Sequence, residues 1–178
     1  MKKLAILSVL MILLFSVTAT AQPQFEGMSP FTQTELTRFI KDWPAFVSWA
    51  DDREEAYGDE NNGYIWSSEV TRWLEKRDWQ PERLFYVAYR CATGITSMML
   101  DEQAPQVEAG MADAQMVVMN NPNLSAAQRE QMLAMFRQSQ SSYQQARDLD
   151  TTIPPQEMAL IKQYYDQIRT AMELGDHQ

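Results

Sequence analysis

Apolar side chains return every three or four residues along most of this 178-residue chain, and that spacing commits it to helices. Leu36, Phe39, Ile40, Trp43, Val47 and Ala50 form one such stripe. Leu84, Phe85, Ala88, Cys91, Ala92, Ile95, Met98 and Met99 form a second, broader one. Met158, Ile161, Tyr165, Ile168 and Met172 form a third. Only six glycines occur, and no run of alternating β-branched residues reaches strand length. The pattern predicts an all-α fold: an irregular bundle of about five to six helices, with a C-terminal helical hairpin and a final packed helix.

Local signals place the helix ends. Thr32-Gln33-Thr34-Glu35 is a capping box, with Phe31 set to staple onto Leu36. Pro44 predicts a kink or restart, since it removes a backbone donor and crowds the preceding turn. The first helix is expected to end by Tyr57-Gly58. Ser67 or Ser68 opens a short helix with Val70, Trp73 and Leu74 inward, stopping near Asp78-Trp79-Gln80. Pro81 suits the first turn of the next helix. Gly94 within it costs about 1 kcal/mol relative to alanine and predicts a close helix crossing. Pro105 is expected to end or bend this helix. Val107, Met111, Ala114 and Val118 then lead to the turn Asn120-Asn121-Pro122-Asn123, and Ser125 to Gln128 is a second capping box. Met132, Leu133, Phe136, Gln140 and Tyr143 continue to about Leu149. Pro154-Pro155 precedes the final helix, and Gly175 closes it.

The start of the chain reads as an export signal. Lys2 and Lys3 precede an apolar run over residues 4–17, and Ala19-Thr20-Ala21 is a small-x-small cleavage site. The run is too short and wrongly flanked to span a membrane comfortably. The expected organisation is a cleaved signal peptide over 1–21 and one all-α domain over 22–178. That domain has an aromatic-rich front half (31–90) and a Gln- and Met-rich hairpin with the last helix (106–174). All five tryptophans lie between positions 43 and 79. Gln22 at the cleavage point is not a lipidation site, and the signal's composition points to a periplasm.

Charge and residue usage exclude several functions. Removal of the signal leaves 13 cationic and 24 anionic residues, a net charge of −11, which argues against nucleic acid and anionic membrane surfaces. A single cysteine, Cys91, rules out an internal disulfide framework, Cys-x-x-Cys-His haem attachment and multi-cysteine zinc sites. The only histidine is His177, so no Ser-His or Cys-His pair can activate a nucleophile. Cys91 falls on an apolar stripe, as expected of an inert core thiol. No enzyme activity and no cofactor are expected.

Two features could hold a metal. In the 58–69 loop, set against the calcium loop of an EF-hand, Asn62 falls at the fifth place, Gly63 at the sharp turn, Ile65 at the eighth and Glu69 at the twelfth. Gly58 occupies the first ligand place and Asp59 is displaced by one residue. Asp59, Glu60, Asn62 and Glu69 are therefore the calcium candidates, against the alternative of a solvated acidic helix end before an Asn-Gly turn. The second feature is methionine: Met116-x-x-Met119 and Met132-x-x-Met135 carry soft thioethers at helical spacing, which would suit copper(I) or simply fill a core.

The segment Leu124-Ser125-Ala126-Ala127-Gln128-Arg129 resembles the Leu-Thr-x-x-Gln signature of the periplasmic stress-chaperone family typified by Spy and CpxP. Serine stands in place of the threonine, one copy is present, and the resemblance covers about residues 106–149. It implies a small, exported, all-helical protein that forms a dimeric cradle and binds unfolded or partner proteins. The expected function is thus an exported, non-catalytic, chaperone-like binding protein, with a protein partner or unfolded client. Its binding surface would include Met116, Met119 and Met135. The alternative is a metal-binding periplasmic protein, with calcium ahead of copper. The sequence also predicts Trp43, Trp49, Trp73 and Phe85 in the main core, with Trp66 and Trp79 nearer loops and partly exposed.

Overall fold

The computed structural model describes Phe25, residues 27–51 and residues 67–173. The described residues contain α-helices, a short 3-10 helix and no strand, which is the all-α architecture the apolar spacing requires. The helices are α1 (Gln33–Asp51), α2 (Ser68–Glu75), α3 (Pro81–Asn120), α4 (Ala126–Arg147), α5 (Pro155–Gln163) and α6 (Tyr165–Ala171), with the 3-10 turn Asp148–Thr152 after α4. None is long and apolar enough to cross a membrane. Their contacts group the chain into two compact units, Met1–Tyr89 with Asp166–Gln178, and Arg90–Tyr165.

In the first unit, α1 begins at the capping box read from the sequence. The Thr32 N–H donates to Glu35 Oε2 at 2.8 Å, and the Glu35 N–H donates to Thr32 Oγ1 at 3.3 Å. The helix runs through Pro44 without a restart and buries Leu36, Phe39, Trp43, Phe46 and Ala50. Its aromatic face continues into α2 and α3: Phe46 packs edge-on against Trp73 and Phe85, each at 5.5 Å between ring centroids, and Trp49 lies 5.6 Å from Trp73. Trp43 is buried, whereas Trp49, Trp73 and Phe85 are half-buried at the margin of this cluster.

Trp79 departs from expectation. It is 1% exposed, although the sequence placed it beside a loop and partly exposed. The way α2 ends explains this. The Asp78 N–H bonds to the Glu75 carbonyl and the Trp79 N–H to the Leu74 carbonyl, each at 3.0 Å, while Asp78 takes a left-handed φ of 58°. This is a Schellman ending, which turns the residue after the left-handed position back toward the helix's apolar side. The indole N–H then donates to Asp42 at 3.0 Å, and the Arg38 guanidinium lies 4.0 Å over the ring. Buried indole needs such a partner, and Asp42 supplies it. The glycine that usually marks this motif is an aspartate here, so the stop near Asp78 was legible but the inward turn of Trp79 was not. Trp66 lies outside the described residues.

In the second unit, α3 continues through Pro105 to Asn120 rather than ending at the proline. A proline inside a helix forfeits one hydrogen bond. Here Arg147 of α4 donates to Asp101 at 2.8 Å and to Glu108 at 3.0 Å, bracing α3 on both sides of the proline. The close crossing expected at Gly94 is present, for a β-carbon there would stand 2.9 Å from Ile161 Cδ1 and 3.1 Å from its Cγ2. The expected final helix is two helices, α5 and α6, interrupted at Tyr164, whose φ of −107° and ψ of 19° leave the helical region. Met158 and Ile161 in this unit, and Ile168 and Met172 in the first, are buried as expected, and Tyr165 is half-buried.

Candidate binding surface

The turn between α3 and α4 is built from local hydrogen bonds. The Asn123 N–H donates to Asn121 Oδ1 at 3.0 Å, an Asx turn that stops α3. Ser125 then caps α4: the Gln128 N–H donates to Ser125 Oγ at 3.3 Å, and the Ser125 N–H to Gln128 Oε1 at 3.0 Å. Arg129 wraps back, with Nη2 donating to the carbonyls of Asn121 (3.3 Å) and Leu124 (3.4 Å).

The two arms pack antiparallel. The Tyr143 hydroxyl donates to the Leu100 carbonyl at 2.7 Å, and Ser97 Oγ to the Arg147 carbonyl at 2.7 Å. Carrying the Tyr143–Leu100 register toward the turn brings position 132 level with position 111, the pairing expected from the shortness of the turn. Successive helical residues turn by about 100°. With Val118 buried, Met116, Val117 and Met119 must therefore project away from it. On α4, Leu133 and Phe136 are half-buried, which turns Met135 outward and leaves Met132 at the edge.

The result is a set of large apolar side chains left exposed along the two arms. Met116 is 52% exposed, Met119 55%, Met135 63% and Met132 38%, with Val117 beside them at 68%. The methionines further along the chain are inside, Met158 at 9% and Met172 at 4%. Helix α4 carries no fully buried residue at all. Large apolar side chains exposed on neighbouring helical arms are candidate interaction points.

The calcium candidates divide. Asp59, Glu60 and Asn62 lie outside the described residues, as does His177. Glu69 is exposed in the first turn of α2, where a carboxylate complements the helix dipole without any metal. Among the described residues no three His, Cys, Asp or Glu side chains are grouped to hold a metal ion. Cys91 is fully buried, and burial pushes its thiol well above the usual range, with the Glu157 charge adding to the effect. Such a thiol stays protonated and does not serve as a nucleophile.

Two charged groups escaped sequence reasoning. Glu157 is fully buried at the start of α5 and pairs with Arg90 at 3.7 Å, while Arg90 Nη1 donates to the Thr152 carbonyl at 2.8 Å. Pro154-Pro155 signalled a helix start, but nothing local signalled that Glu157 is buried. Arg83 grips Glu35 through two hydrogen bonds, 2.7 and 3.0 Å, and donates to the Ser29 carbonyl at 2.6 Å. That pairing, chiefly the Arg83 hydrogen bonds, lowers the Glu35 carboxyl from its ordinary 4.5 to about 2. The recess beside Met28 and Ser29 thus has its guanidinium committed to holding the chain ahead of α1.

No protein-family model, curated protein or solved structure matches this chain.

Proposed function

We propose that this protein is exported to the periplasm, where it acts as a non-catalytic, chaperone-like binding protein for an unfolded or partner protein. One observation carries the reading: Met116, Val117, Met119 and Met135 are large apolar side chains left exposed on the two arms that the α3–α4 turn joins. Methionine is flexible and polarisable, so a methionine-bearing surface adapts to clients of differing shape. The Ser125–Gln128 cap, which carries the resemblance to the stress-chaperone signature, holds the turn that presents this surface.

The test is suppression of aggregation of an unrelated unfolding protein. The wild-type chain should suppress it, and Met116→Gln with Met119→Gln should weaken suppression severalfold while leaving helicity intact. Absence of suppression by the wild type sinks the proposal. Suppression indifferent to both substitutions would move the binding surface to the aromatic unit.

A further inference from the structure

Among the described residues, every methionine exposed beyond about one third lies on the two arms of the hairpin: Met116, Met119, Met132 and Met135. Each is a thioether open to solvent. Met158 and Met172, by contrast, are enclosed in packed apolar surroundings. Exposure governs how readily a thioether meets a dissolved oxidant, so the turn and the core differ in the chemistry they undergo.

We propose that these four methionines form an oxidant-sensitive switch on the binding surface, reacting with hydrogen peroxide to give sulfoxides that turn the surface from apolar to polar while the fold persists. The inference rests on the binding reading for its consequence but not for its chemistry. The sulfur lone pair attacks one peroxide oxygen and the O–O bond breaks. Sulfur is oxidised by two electrons as the new S–O bond forms, and the peroxide is reduced, its second oxygen leaving with both protons as water. A methionine sulfoxide is polar and strongly accepting, closer to glutamine than to the parent side chain.

The structure separates this change from unfolding. Helix α4 buries none of its residues, and the bonds that set its register come from Tyr143, Arg147, Ser97 and the Ser125 cap. None of them uses a methionine side chain. Oxidation on these arms therefore removes apolar surface without breaking any of these bonds.

The experiment treats the purified chain with graded hydrogen peroxide and follows four readouts: sulfoxide by peptide mass, thermal midpoint, binding of an apolar fluorescent dye, and aggregation suppression. Met116, Met119, Met132 and Met135 should each gain one oxygen severalfold faster than Met158 and Met172. Dye binding should fall in step while the midpoint holds. A chain with all four replaced by leucine should keep its dye binding through the same treatment. Oxidation of Met158 and Met172 at equal rates would overturn the proposal, as would a falling midpoint or unchanged dye binding on full oxidation of the turn. Lack of suppression by the untreated chain would refute the binding reading alone, leaving the mass, midpoint and dye readouts to decide the switch. Suppression that survives full oxidation of the turn would overturn the switch.

Discussion

Trp79 shows what one residue can carry. Its ring is enclosed, its N–H is held by Asp42, and its position follows from the left-handed Asp78 that ends α2. Replacing it with alanine should cost about 3–5 kcal/mol, measured by chemical denaturation, because a large cavity and an unpaired carboxylate are left together. A loss below 1 kcal/mol would mean that the side chain packs far less tightly than described. Glu35 carries a pH dependence. Its folded carboxyl titrates near 2 and its unfolded one near 4.5, so the stability from the Arg83 pair is complete above pH 4.5. It is lost progressively as pH falls from 4.5 toward 2. Glu35→Gln should flatten that part of a melting-temperature profile, and a parallel acid slope in wild type and variant would show the pair to be energetically silent. Neither the burial of Trp79 nor the pairing of Glu35 with Arg83 was legible beforehand. The Thr32–Glu35 box was visible because its bonds span three positions, whereas Arg83 lies 48 positions from Glu35 and Asp42 lies 37 from Trp79.

Helix boundaries repeat this contrast one level up. Ser67, Pro81, Ser125 and Pro154-Pro155 act where the sequence placed them, since caps and proline starts depend on neighbours within a turn. Pro105 lies inside α3 and does not end it, and the Arg147 contacts on either side of it come from another helix, out of reach of a local reading. The turn surface was legible in part. Met116, Met119 and Met135 are exposed as outward positions should be, but the full burial of Glu157 was invisible. Helix α4 is anchored mostly by polar contacts toward its C-terminal end and by its N-terminal cap. Its amides should therefore exchange with deuterium well before those of α3 around Cys91 and Ile95, which are wholly enclosed. Ser125→Ala should widen the gap and cost about 1 kcal/mol, read from exchange rates near the turn. Equal protection along both arms would contradict this ranking.

For the whole molecule, the amino-acid usage of the two compact units sets both stability and surface. The first is dense in aromatic rings, while the second combines alanine, glutamine and methionine with a buried Glu157 paired to a half-buried Arg90. The proposed export route makes a direct prediction: chain recovered from the periplasm should begin at Gln22, by intact mass, and recovery of the uncleaved chain in the membrane fraction would refute it. The placement of tryptophan has a spectroscopic consequence. All five occur before Tyr89, in the first unit, and the second has only tyrosine and phenylalanine as aromatic residues. Indole emission therefore reports on one unit, while far-ultraviolet dichroism reports on the helices of both. A single denaturant titration read in both channels thus acts as a cooperativity meter. Superimposed curves mean that the two units melt as one, and a dichroism transition without a matching emission change isolates the melting of the methionine-bearing unit, with no label added.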